Sequence, residues 1–112
     1  MARFSTKKVN PETAIKKACL QYLKVKYGVR FWYVNVIGGL GIRPGTPDTL
    51  ACLDGRFIGL EFKNGDKGKL TDYQKNALFA IHEAGGQALV IRSIDDCIEQ
   101  FRRFEGIQKE LF

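Results

Sequence analysis

Asp48, Glu61 and Lys63 are the residues of this 112-residue chain whose types and spacing could do chemistry. Between the two acids lie two apolar runs, 49–53 and 56–63, separated only by Asp54-Gly55. Asp-Gly between such runs is among the strongest short hairpin signals. A two-residue turn there pairs Leu53 with Arg56, so paired positions sum to 109 and Asp48 faces Glu61. Directly opposed side chains on one sheet face have Cβ atoms roughly 4.5–5.5 Å apart. Lys63, two residues beyond Glu61, points to the same face. Two acids so placed repel by roughly 3–4 kcal/mol at an effective dielectric near 20. Their strands are apolar on both faces, as in a sheet covered by helices, where acids rarely sit unless paired or holding a metal.

A divalent cation turns that repulsion into attraction. Carboxylate oxygens, water and phosphate are the ligands Mg²⁺ or Mn²⁺ prefers. Such a cation polarises a phosphodiester and acidifies water, and a neighbouring lysine can orient that water or stabilise charge developing on the phosphate. A plainer alternative stands beside this one: Lys63 neutralises Glu61, while Asp48 caps the strand after Pro47.

The elements that must position these residues are legible in outline. Asn10-Pro11-Glu12 reads as a helix start, with Asn as N-cap and Pro in the first turn. The periodic residues Ile15, Ala18, Cys19, Tyr22 and Leu23 predict one buried stripe, ended by Gly28. An aromatic and β-branched run over 31–37 predicts a strand. The next ten residues, 38–47, hold four glycines and two prolines, which marks a loop of functional length. After the hairpin and a lysine-bearing loop over 64–70, Thr71 caps a helix with Tyr73, Ala77, Leu78, Ile81 and Ala84 facing the core. Gly85-Gly86 ends it. A strand over 87–92 and a helix from Ser93, with Cys97, Ile98, Phe101 and Phe104 inward, complete the order α-β-β-β-α-β-α, a mixed sheet between helices. Trp32 and Tyr33 are expected in the core or at an interface.

The composition bounds the partners. Eighteen basic against twelve acidic residues give +6 and a pI near 9.4, which suits a polyanion. Lys63, Lys67, Lys69 and Arg43 cluster around the acids in sequence. Lys7, Lys8, Lys16 and Lys17 lie at the other end of the chain, the first two in a loose basic arm over 1–10. Phosphate contacts from such residues give salt-dependent, sequence-neutral binding. Cys19, Cys52 and Cys97 form neither a CxxC nor an even framework, and read as small buried hydrophobes. His82 has no acid or cysteine at ligand spacing. The glycines after the first strand precede no GKS or GKT, which argues against a P-loop. No apolar run approaches a membrane span and no signal-peptide pattern opens the chain, so a single cytoplasmic domain over 1–112 is expected.

Pro47-Asp48 followed by Glu61-Phe62-Lys63 resembles the PD-(D/E)XK nuclease pattern. With Gly45-Thr46-Pro47-Asp48-Thr49-Leu50, Gln74 on the next helix, and Gly85-Gly86 leading into Ala88-Leu89-Val90-Ile91, the chain looks like the VRR-NUC branch of that superfamily, from about Glu12 to Asp96. The resemblance implies a restriction-endonuclease-like α/β core. It also implies metal ligation by Asp48, Glu61 and the backbone carbonyl of Phe62, with Lys63 catalytic and Gln74 in the site. Glu12 would reach the metal directly or through water. The stand-alone phage and bacterial members resemble homodimeric Holliday-junction resolvases, which implies branched DNA as substrate and a role in recombination or repair. The strand that names the branch reads Val90-Ile91-Arg92 here, so only its last basic position is kept. Two residues also have structural readings: Gln74 completes a capping box with Thr71, and Glu12 suits the helix dipole.

Overall fold

The computed structural model describes residues 10–110, with no description of the side chains of 106–110. The expected basic arm, Lys7 and Lys8 included, lies outside the described residues save for Asn10. Asn10 caps α1 (Pro11–Tyr27) by accepting the backbone N–H groups of Glu12 and Thr13, as its place before Pro11 predicts. A short 3₁₀ turn, Gly28–Arg30, leads into β1 (Phe31–Asn35). β2 (Thr49–Leu53) and β3 (Arg56–Phe62) form the hairpin, followed by a 3₁₀ turn at Gly65–Lys67. Then come α2 (Asp72–Glu83), β4 (Gln87–Ile91) and α3 (Ile94–Glu110).

The sheet order is β1-β2-β3-β4, antiparallel except for the parallel pair β3 and β4, which α2 connects. Asp54 and Gly55 both have positive φ, at 52° and 84°, the geometry of a type I′ turn whose twist matches that of the strands. Arg30 braces the turn from outside with a two-pronged bond to the Asp54 carboxylate. The expected register holds from Leu53 opposite Arg56 to Thr49 opposite Leu60.

Ile58, Leu60 and Phe62 face a single core with Cys19, Leu20, Leu23 and Tyr27 of α1 and Cys97, Phe101 and Phe104 of α3. Each large side chain buried there contributes roughly 1.5–3 kcal/mol. Strand alternation sends Phe57, Gly59 and Glu61 to the opposite face, where Ile81 of α2 and Pro47 press on Gly59 so closely that a Cβ has no room. Phe62 therefore belongs to the core and its neighbour Glu61 to the α2 side.

Several packing expectations are corrected. The α1 stripe is rotated: Leu20 is buried and Ala18 exposed. α2 buries Leu78, whereas Tyr73 and Ala84 are exposed. Trp32 is not in the core but 64% exposed. α2 packs along β4 and reaches Gly59 of β3 through Ile81, and leaves Trp32 and Val34 of β1 and Phe57 at the start of β3 exposed, so the strands are not apolar-covered on both faces throughout. Among the described residues, no helix is long and apolar enough to cross a membrane.

Candidate active site

β3 delivers Glu61 and, one residue past its end, Lys63; both are buried, at 2% and 9% exposure. Asp48 stands one residue before β2. Its backbone carbonyl accepts the N–H of Val36, and its Oδ2 accepts the N–H of Phe62 at 2.9 Å. The strand register ends at Thr49 opposite Leu60, and beyond it the Asp48 side chain bridges to the strand that bears Glu61.

Burial pushes the Glu61 carboxyl up, the adjacent Asp48 charge and hydrogen bond push it further, and the result is a pKa of about 8 despite the opposing pull of Lys63. The Lys63 ammonium lies 4.0 Å from Glu61 Oε2, the outer limit of an ion pair. Lys63 thus pairs with Glu61 at long range, as the salt-bridge alternative expects, while burial and Asp48 outweigh its pull. Asp48 does carry a strand-end hydrogen bond, so that half of the alternative is realised without removing its charge from the site.

Gln74 realises its capping reading and also reaches Glu61. Its Oε1 accepts the Thr71 N–H and its backbone N–H donates to Thr71 Oγ1, completing the capping box of α2. Its Nε2 donates to Glu61 Oε2 at 3.1 Å. One amide thus ties the start of α2 to the buried acid. Glu61 Oε1 is buried with no hydrogen-bond partner, an arrangement that ordinarily costs about 1–3 kcal/mol.

Beyond Asp48 a cavity of about 110 Å³ opens, lined by Glu12, Thr13 and Lys16 from the start of α1 together with Asp48 and Phe62. Glu12 and Lys16, both expected near the site, share it. Thr13 was not anticipated; its place one helical turn before Lys16 is the signal that could have found it. Among the described residues no three His, Cys, Asp or Glu side chains gather into a metal-holding group, so Glu12 does not join Asp48 and Glu61 as a third clustered acid. Lys17, Lys67 and Lys69 are exposed, and Arg43 lies in the glycine-rich loop on the rim of a second cavity that also reaches Asp48.

Arg92 behaves differently from a residue awaiting a ligand. Its guanidinium donates to the carbonyls of Gly65 at 2.7 Å and Gly68 at 2.5 Å. The Lys63 N–H donates to Ile91 and the Gly65 N–H to Arg92, so β4 grips the segment that carries Lys63. His82 is exposed near the end of α2, and Cys19 and Cys97 are buried, as expected; Cys52 is half-buried.

Two solved structures share this architecture. One, described as a VRR_NUC domain, superposes with a TM-score of 0.72 at 19% identity, over 84% of this chain and 97% of the other. The second, a VRR_NUC domain protein, gives 0.66 at 17% identity over 87% and 89%. No protein-family model matches the chain, and no curated protein matches it. The fold is that of these VRR_NUC domain proteins, as the sequence resemblance implies.

Proposed function

We propose that this protein is a divalent-metal-dependent endonuclease that hydrolyses phosphodiester bonds in branched DNA. The observation that carries the reading is the buried Glu61 carboxyl, set against Asp48 with its Oε1 unpartnered and a lysine 4.0 Å away. An orphaned buried oxygen beside a second acid is the donor set of a hard cation, so the residues fit Mg²⁺ or Mn²⁺. Asp48, Glu61 and the Phe62 carbonyl would hold the ion, with Glu12 reaching it through water across the cavity that Glu12, Asp48 and Phe62 line.

When bound, the ion supplies Lewis-acid polarisation of the scissile phosphate and acidification of water. The chain's own residues do the rest. Gln74 fixes Glu61 by the bond to Oε2, which leaves the unpartnered Oε1 as the oxygen that would accept the ion. The Lys63 ammonium, held by β4, aligns the attacking water and stabilises the charge that grows on the phosphate. Lys16 and Arg43 take the flanking phosphates, and Lys17, Lys67 and Lys69 extend the cationic surface without reading sequence.

Within this class we favour a homodimeric Holliday-junction resolvase over another nicking or flap-type nuclease. A four-way junction has two-fold symmetry, which a C2 pair of sites matches. The bare half-sheet with Trp32, Val34 and Phe57 is the apolar surface for a second copy. The test is cleavage of a labelled four-way junction by purified protein in Mn²⁺ and in EDTA. Metal-dependent paired nicks, lost in Asp48→Ala, are expected. Binding without cleavage, the same in Asp48→Ala, overturns the enzyme reading in favour of a non-cleaving DNA-binding module.

A further inference from the structure

The loop between β1 and β2 carries an apolar tip that neither the core nor the proposed metal site uses. Its base is closed by the bond from the Val36 N–H to the Asp48 carbonyl. At its apex the Ile42 N–H donates to the Gly39 carbonyl, making a β-turn with Leu40 second and Gly41 third. Gly41 has φ 89°, the left-handed value a type II turn needs at its third residue. Leu40 is thereby held outward and is fully exposed, at 106%. Ile37, at 85%, is exposed in the same loop.

Two observations indicate what meets this tip. The loop walls a cavity of about 300 Å³ that contains Asp48, together with Gly38, Gly39 and Arg43. Arg43 itself opens the next turn, whose N–H bond from Thr46 and hydroxyl bond from Thr46 Oγ1 both end on the Arg43 carbonyl. The turn that carries Leu40, the Arg43 cation and the proposed catalytic acid therefore lie on one loop, whose Gly39, Ile42 and Arg43 line the cavity with Asp48.

We propose that Leu40 is a wedge that enters an opened base step in the bound DNA and supplies the preference for branched over continuous duplex. Apolar side chains inserted between base steps unstack and kink DNA. Opening a base step is least costly where the stack is already interrupted. A branch point offers such an interruption and an intact duplex does not, so one leucine on a turn discriminates by shape without reading a base. The proposal rests on the nuclease reading of the same site.

The test uses a four-way junction with 2-aminopurine at the branch and a linear duplex of the same arm sequence, with Ca²⁺ in place of Mg²⁺. The wild-type protein is expected to bind the junction more tightly and to raise the 2-aminopurine fluorescence. Leu40→Ser is expected to lose the fluorescence rise and to narrow the junction-over-duplex ratio roughly tenfold, about the worth of burying one leucine side chain. Its duplex affinity and melting temperature should match the wild type, and Leu40→Phe should restore the signal. An unchanged ratio and fluorescence in Leu40→Ser overturn the wedge while leaving the nuclease reading standing. So does a change of oligomeric state in that variant, which would assign the tip to a second copy. Failure of the wild type to bind either DNA overturns the nuclease reading, and the wedge with it.

Discussion

Gly45 lies against the backbone of Tyr73 so closely that a Cβ at Gly45 would fall inside the Tyr73 carbonyl and crowd the Gln74 nitrogen. Gly45 also has φ 83° at the third position of the Arg43–Thr46 turn, a conformation other residues adopt only under strain. The loop before Asp48 is thus keyed to the first turn of α2, and Gln74 stands beside the contact with its side chain on Glu61.

Gly45→Ala is accordingly expected to displace the start of α2. The strained backbone costs about 1–3 kcal/mol, visible as a lower melting temperature. Cleavage should fall by more than the stability loss explains, because Gln74 moves off Glu61. Gln74→Ala tests the second step separately: about 1 kcal/mol of stability is lost with the hydrogen bonds, and a cleavage rate equal to wild type would show that the amide serves capping alone.

The metal-free protein should lose stability as pH rises. Glu61 titrates near 8 in the folded chain against about 4.5 when free. Below the lower value both states hold the proton; between the two values only the folded state does, so unfolding releases it and becomes easier with each step in pH. Urea midpoints measured in EDTA should fall between pH 5 and 8 and then level. Glu61→Gln should remove most of that slope. Mg²⁺ should flatten it as well, by favouring the ionised form.

Asp48 allows its charge and its hydrogen bond to be separated. Asp48→Asn keeps an oxygen for the Phe62 N–H while removing the repulsion on Glu61, so its metal-free melting temperature should rise. Asp48→Ala loses the bond too and should fall by about 1 kcal/mol. Neither should cleave DNA. Calorimetry with Mn²⁺ should show weakened binding in both.

Lys63→Ala should keep Mn²⁺ and junction binding and lose turnover. Full activity in that variant would remove the lysine from the mechanism and leave it a partner for Glu61.

The bare half-sheet makes a hydrodynamic prediction. If a second copy covers Trp32 and Val34, Val34→Lys should sediment as a monomer with an unchanged melting temperature, since Val34 is exposed in the single chain. A wild-type monomer at micromolar concentration would overturn the dimer.

Local rules account for most of the fold that was legible in the sequence. Asp54-Gly55 dictates its turn, the turn dictates the register, and the register brings Asp48 to the strand of Glu61. Asn10 and Thr71 mark helix starts because short polar side chains satisfy N–H groups there. Periodicity identifies an apolar face but not what covers it, so Tyr73, expected inward, stands in solvent. The fit of Gly45 against α2 was illegible for a related reason. It joins segments 28 residues apart, Gly45 to Tyr73, and nothing in either segment alone encodes the contact.

The grip of β4 on Lys63 bears on the order in which the molecule is assembled. The two acids come together across a local hairpin, whose closure demands little chain entropy. The ammonium is placed only when residue 63 meets residue 91, across a parallel crossover that includes all of α2, and such distant pairings form slowly. A refolding chain would therefore bring its two acids together before it fixes the ammonium beside them.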